Sequence, residues 1–401
     1  MHGVESKAGE AAAEGDYLSL LGRICLCLIA PLSGLAQAGL TPVLPEISAH
    51  FSSQPGADAL VRLMMSSLSF MMIVGSLGAG LLAARMGQRP LLFLCLGIYA
   101  VSGAAGFFLD NIYALVASRM ILGVVTAGWG VLVAAIITTK IAPGIRDRWL
   151  GFYIVSGTAG MFVLIVAVGA LAKIDWRHVF LLYLIAVPMM VMLALFMRGG
   201  SSPEPVAMKA DGSVLKKPVP LGLVLFSLLC GMVGPTVMIF LPFHLLGFGE
   251  GTPDRIAGLV VATAIATAVL AFAYGWLRKR LSVMMMFVIG FVLMCIGLLV
   301  IVLMRDYAGA MMGMILFGFG GGFVHPNVFA AAAATALPAD RARVIGFVRG
   351  ALYAGPLVAQ LSLEPVFRAF GPSAPLGALA VLAAGAILFA VMGRRAYAPA
   401  G

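Results

Sequence analysis

The sequence predicts an all-α membrane protein whose twelve transmembrane helices form two six-helix pseudo-repeats. Three observations carry that prediction: an apolar content that no soluble core absorbs, twelve apolar stretches of spanning length, and an internal repeat at an offset of 195 residues. Of 401 residues, 62% are hydrophobic and only 10% are charged, with a mean hydropathy of +1.07. A soluble domain is about 45–50% apolar and about 25% charged. Most of this chain's surface must therefore be apolar, and its solvent is lipid. This excludes most cytosolic enzymes and nucleic-acid binders. The net charge of +10 fits the Lys and Arg excess that orients membrane proteins better than it fits a polyanion partner.

Each crossing needs roughly 20 apolar residues. The first stretch, 21–44, follows an acidic segment (Glu5, Glu10, Glu14, Asp16) with no basic n-region and no short apolar run before a cleavage site. Residues 1–20 thus read as a cytosolic tail with no signal peptide removed. The second, 61–84, ends at Arg85, Gly87 and Arg89, and the third, 91–109, begins there. Asp110 separates the third from the fourth, 112–138; Lys140, Pro143, Arg146 and Arg148 precede the fifth, 149–171; Lys173 and Arg177 precede the sixth, 178–197. The connection from Arg198 to Pro218 is rich in Pro, Gly, Ser and Lys and reads as a flexible cytoplasmic linker, 198–218. It divides an N-terminal bundle, 21–197, from a C-terminal bundle, 219–393. In the latter, 219–243, 255–277, 282–304, 308–335, 344–365 and 375–393 are parted by Arg255, the run Arg278, Lys279 and Arg280, Arg305, the cluster Pro338, Arg341 and Arg343, and Arg368. Arg394 and Arg395 open a second cytosolic tail, 394–401.

With the N-terminus inside, the inner segments carry eighteen Lys and Arg and the outer ones six, while Arg119 and Arg349 fall within helices. This bias predicts that both termini are cytoplasmic, and the membrane expected for the protein is a bacterial inner membrane. Cys25, Cys27, Cys95, Cys230 and Cys295 all sit inside apolar runs, with neither disulfide nor zinc spacing.

Shifting the second half by 195 residues lays Gly39 on Gly234, Gly80 on Gly275, Arg85 on Arg280, Gly123 on Gly318 and Gly160 on Gly355. The cluster Pro143, Arg146, Arg148 and Gly151 recurs as Pro338, Arg341, Arg343 and Gly346 with its internal spacing kept. Two parallel six-helix repeats around a midplane site are an architecture of secondary transporters.

The stretch Gly80-Leu-Leu-Ala-Ala-Arg85-Met-Gly87-Gln-Arg89 resembles the loop signature of the major facilitator superfamily. Leu115-Val-Ala-Ser-Arg119-Met-Ile-Leu-Gly123 resembles a second signature, frequent among its proton-coupled drug and metabolite exporters. The resemblance implies that Gly80, Arg85, Gly87 and Arg89 form an inner gate loop and that Arg119 serves proton coupling. Two departures stand out. Ala84 occupies the position of the usual Asp, and the fifth stretch has Ser156-Gly157-Thr158-Ala159-Gly160 without the exporters' Gly-Pro pair, whereas Gly355-Pro356 stands at the repeat-equivalent place.

An ionised Arg119 in hydrocarbon costs at least about 2.5–3.5 kcal/mol, so it must face protein or a wet cavity. Gly123, Thr126, Gly130 and Val133 follow it on one helix face. The competing reading is a structural Arg satisfied by backbone carbonyls or by Gln37. All sixteen acidic residues lie in tails, loops or helix ends, with Glu46, Asp110 and Glu364 nearest the interior. A cationic substrate is therefore disfavoured, and proton coupling must use Glu46, Glu364, His325 or the substrate itself. Ser33, Gln37 and Thr41 share a face of the first stretch. In the tenth, Gly318-Phe-Gly320-Gly-Gly322-Phe-Val-His325-Pro326-Asn327 predicts a broken, polar-lined helix of the kind that marks transporter binding sites. His325 and Asn327 join the candidate cavity, as do Arg349 and Gln360, and His325 titrates in the useful range. Arg349 also lies close enough to the inner end to snorkel. The 24 Met and 24 Phe residues either line an adaptable pocket or face lipid and packing partners.

These readings predict a secondary transporter that exports an amphipathic or anionic small molecule in exchange for protons. It would work as a monomer in the bilayer without cofactor, metal or nucleic acid. Two alternatives stand beside it: an uptake permease for an organic anion, and a non-transporting sensor or assembly factor that lost the loop Asp. No nucleophile–base constellation, phosphate loop or metal spacing suggests an enzyme.

Overall fold

The computed structural model describes residues 18–141, 143–197, 221–335 and 341–392. The predicted linker and both predicted tails, apart from a few residues at their edges, lie outside the described residues, as does Pro338. Among the described residues twelve helices are long and apolar enough to span a bilayer, which makes the chain an integral membrane protein. They are α1 (Leu20–His50), α2 (Ala57–Met86), α3 (Gln88–Phe107), α4 (Ile112–Lys140), α5 (Pro143–Ala172) and α6 (Trp176–Phe196). The second six are α7 (Leu221–Leu246), α8 (Pro253–Leu277), α9 (Val283–Met304), α10 (Tyr307–Thr335), α11 (Arg341–Phe370) and α12 (Ala374–Met392).

In lipid every backbone group must be satisfied within the segment, so helices run the full span and their ends are capped by polar side chains. Asn111 accepts from the N–H groups of Tyr113 and Ala114 at the start of α4, and Ser282 accepts from Met285 N at the start of α9. Between α2 and α3 the whole loop is Gly87, whose φ of 83° lies in the region that side chains other than glycine's avoid.

The helices pack α2 on α4, α8 on α10, α9 on α10 and α12, and α7 on α11; across the two sixes, α5 meets α8 and α2 meets α11. Without a hydrophobic drive between helices in lipid, close backbone approach at small residues supplies the attraction. At Gly123 the position of a Cβ is occupied by the carbonyl of Leu68 on α2, and at Gly318 by the carbonyl of Thr263 on α8. Both residues of each contact are displaced by the same 195 positions, so the sequence repeat is also a repeat of packing. Gly128 facing Cys95 and Phe323 facing Gly290 form a second equivalent pair, with the bulk on opposite partners.

Gly123→Ala is therefore expected to destabilise by about 1–3 kcal/mol through overpacking. Gly130→Ala on the same helix, where an added Cβ meets nothing within 4 Å, is the control. Thermal unfolding in detergent checks this; equal melting temperatures for the two variants would sink the close-packing account.

Two expectations are corrected. The first stretch is not one straight helix: it runs as Leu20–Leu28, Pro31–Ala38, a 3-10 turn Thr41–Val43 and Leu44–His50. The predicted break in α10 is absent, because Pro326 removes only one backbone bond and Tyr307–Thr335 continues through it. The breaks fall instead in α1 at Ile29–Ala30 and Gly39–Leu40 and in α7 at Gly234–Thr236, between Leu221–Val233 and Val237–Leu246. Gly39 and Gly234 are the repeat-equivalent pair, and each is followed closely by a proline, Pro42 and Pro235.

Candidate functional site

A cavity of about 370 Å³ lies between the first six helices and the last six. The first set contributes Gln37, Met65, Ser69, Thr158 and Met161; the second contributes Gly234, Met238, Thr263, Thr267, Phe317, His325 and Pro356. Two helix breaks build its walls, since Gln37 precedes the Gly39–Leu40 break in α1 and Gly234 opens the break in α7. The lining is mostly apolar and includes no Asp, Glu, Lys or Arg. His325 donates from Nδ1 to the carbonyl of Gly321 at 3.0 Å, one turn back on α10. Gln37 donates from Nε2 to the Ser33 carbonyl at 3.1 Å.

Of the residues singled out in the sequence, Gln37 and His325 meet at this cavity. The others lie elsewhere. Ser33 bonds the Ala30 carbonyl at 2.9 Å and is not in the lining. Thr41 is fully buried at the start of the 3-10 turn, because the break turns it off the face it would share with Ser33 and Gln37. Gly123 faces the α2–α4 contact, and Thr126 is buried and donates to Leu122 O at 2.6 Å. Asn327 is buried between α8 and α9, donating to Val283 O at 2.7 Å and accepting from the Tyr274 hydroxyl at 3.1 Å. Arg349 is exposed and reaches the Tyr353 hydroxyl at 3.1 Å. Gln360 is buried and donates to Glu364 at 3.1 Å.

Arg119 is fully buried away from the cavity. Its Nη2 donates to the carbonyls of Ser102 at 3.1 Å and Gly103 at 2.8 Å, at the end of the α-helical part of α3, where helix carbonyls lack intrahelical partners. The guanidinium lies 4.8 Å from the ring centre of Tyr183 and 5.1 Å from that of Phe180. Tyr183 donates onward to Leu35 O at 3.1 Å, on the α1 segment that carries Gln37. Arg119 is thus held by two carbonyls through Nη2, outside the cavity lining, while its buried Nε and Nη1 have no hydrogen-bond partner. In the inner gate loop, Gly80 is half-buried, Arg85 is exposed and Gly87 makes the turn; Arg89 lies 5.9 Å from the Phe93 ring centre, and among the described residues neither arginine forms an ion pair.

The strongest electrostatic feature is one the sequence reading left apart. At the end of the bundle opposite Arg85, Arg62 of α2 is 1% exposed and clasps Glu364 of α11 with two hydrogen bonds, Nε to Oε2 at 2.9 Å and Nη2 to Oε1 at 2.7 Å. Arg368 and Gln360 bond the same carboxylate. The Arg62 guanidinium rests 3.9 Å from the Phe367 ring centre and 5.1 Å from that of Phe243. Such a bidentate, desolvated pair joins the two sixes across that end. Lys173–Asp254 joins them there as well, and Leu44, Ile47, Phe240 and Leu241 beside it are buried. The spacing Gln360, Glu364, Arg368 on one helix face is the legible half of this clasp. Arg62, 302 positions away, is not.

Among curated proteins none matches the chain. Solved structures of similar fold include a POT family transporter in complex with 5-aminolevulinic acid (12% identity, 97% of this chain and 100% of that one, TM-score 0.80). Others are a D-xylose-proton symporter (15%, 92% and 96%, 0.76) and the human organic anion transporter TETRAN (18%, 92% and 99%, 0.63). These likenesses concern the scaffold. The profile described as Major Facilitator Superfamily matches residues 26–360. With the twelve helices, the repeated packing and that match across most of its length, the chain belongs to the Major Facilitator Superfamily.

Proposed function

We propose that the chain is a secondary transporter that carries a small amphipathic molecule by alternating access, exporting it across the bacterial inner membrane in exchange for protons. The cavity of about 370 Å³ between the two sixes carries the reading. Its volume suits a small-molecule site, and it touches helix breaks in both repeats. With the basic segments in the cytoplasm, the Arg62–Glu364 clasp closes the outer end, and the conformation corresponds to an inward-facing state. Transport then requires the clasp to part while the Arg85 end closes. His325 supports the coupling, being the one ionisable side chain in the lining. Export draws its support from the resemblance of the Leu115–Gly123 signature. Uptake of an organic anion has less support, because Arg119 is committed to carbonyls and Arg349 lies outside the lining. The chain works as a monomer in this reading, one copy building the whole cavity.

Everted vesicles loaded with a fluorescent pH probe test this. Wild type is expected to dequench on addition of members of a panel of neutral and charged drugs and metabolites, and His325→Ala to lose at least about tenfold of that response. Silence of the wild type across the panel would overturn transport, and an unchanged signal in the variant would remove His325 from the coupling.

A further inference from the structure

Hydrogen-bond supply and demand on the cavity wall narrow the chemistry of the cargo. Thr263 gives its hydroxyl proton to Leu259 O at 2.8 Å, and Thr267 shares its own between Thr263 O and Gly318 O, each at 2.9 Å. Helix carbonyls take these protons, so both hydroxyls offer only lone pairs to anything else. A carbonyl can only accept; Gly321 O therefore fixes the neutral His325 ring with its proton on Nδ1, and Nε2 is left as an acceptor. That nitrogen lies 3.5 Å from where a Cβ on Gly234 would stand, beside the break in α7. Gln37 has one amide proton in use on Ser33 O, leaving its carbonyl oxygen and one N–H. Ser69 adds one hydroxyl, and Thr158 is engaged in a contact of its own. Acceptors outnumber donors, no charge stands among them, and Met65, Met161, Met238 and Phe317 supply apolar wall.

Resting on the transport reading above, we infer that the cargo is a neutral, largely apolar molecule that presents its own hydrogen-bond donor, a hydroxyl or N–H, to Nε2 of His325. A carboxylate would leave water for a wall with no cation and few donors. An ammonium would find lone pairs and no carboxylate. A molecule without donors would leave Nε2 unpaired in an apolar space. This narrows the amphipathic-or-anionic class expected from the sequence to its neutral, donor-bearing members.

The test uses the purified full chain in detergent at about pH 8, where an ordinary histidine is neutral, and four probes that share one body: naphthylmethanol, its methyl ether, naphthoate and naphthylmethylammonium. Calorimetry reads equilibrium affinity. Naphthylmethanol is expected to bind at least about tenfold more tightly than its ether, and the two ions more weakly than either. In His325→Ala the alcohol is expected to fall to the affinity of the ether while ether binding persists, which also shows that the variant folds. Equal affinity of alcohol and ether in wild type, preferred binding of either ion, binding of none of the four, or an undiminished alcohol preference in His325→Ala would overturn the inference. The predicted order without any flux in vesicles would instead remove the transport reading and leave the ligand chemistry standing.

Discussion

Glu364→Gln is expected to open the clasp end of the chain, the outer end in the proposed orientation. Arg62 is 1% exposed and depends on Glu364 for both of its charge-assisted bonds. Removing one partner of a buried pair costs about 3–5 kcal/mol, because the remaining charge stays desolvated. That penalty falls on the closed state alone, since a parted clasp lets Arg62 regain water. At about 1.4 kcal/mol per factor of ten, the closed-to-open ratio shifts by about a hundredfold or more. Ser69 lines the cavity, so a cysteine placed there reports access. In Ser69→Cys, an impermeant maleimide added from outside is expected to react slowly, and far faster once Glu364→Gln is added. Arg62→Met combined with Glu364→Met, which replaces the pair by apolar contact over Phe243 and Phe367, is expected to restore protection. Unchanged labelling in Glu364→Gln would show that the apolar contacts, and not the clasp, hold the outer end shut.

Arg119→Ala is expected to damage folding before it damages coupling. The substitution leaves the carbonyls of Ser102 and Gly103 without their donor and empties the space beside Phe180 and Tyr183. Loss of such a buried network, together with the cavity left behind, costs about 3–5 kcal/mol. The melting temperature of the purified protein should fall by several degrees, and the yield of folded protein should fall with it. Arg119→Lys, which restores a donor but not the planar fork, should recover part of the loss. Per folded molecule, proton-linked flux is expected to persist in Arg119→Lys. A variant of native stability that fails to couple protons would return Arg119 to the coupling machinery despite its distance from the cavity lining.

Composition and charge alone were enough for the broad architecture. Twelve apolar stretches separated by basic joints leave a chain no other way to satisfy its backbone in lipid, so each observed span overlaps its predicted stretch. The 195-residue repeat was equally legible, and Gly123 on Leu68 beside Gly318 on Thr263 shows why those glycines recur. Gln37 and His325 were legible as well, since polar groups in apolar helices must face a wet or bonded place.

Partnership was not legible. Arg119 and His325 look alike as polar residues embedded in apolar helices, yet one meets the carbonyls at the end of α3 and the other a cavity. Arg62, one of the six outer Lys and Arg residues in the sequence, gains its partner only when folding brings Glu364 to it across 302 positions. Local sequence sets helix length, orientation and the cost of burying each polar group. Which group relieves that cost depends on which helices touch, and that follows from helix packing at small residues, as at Gly123 on Leu68. The helices break at Gly39 and Gly234 and not at Pro326 for a similar reason. Glycine and proline only loosen a helix: α10 runs on through Gly322 and Pro326 and α11 through Gly355 and Pro356, so whether such a site breaks is decided by the neighbours each helix packs against.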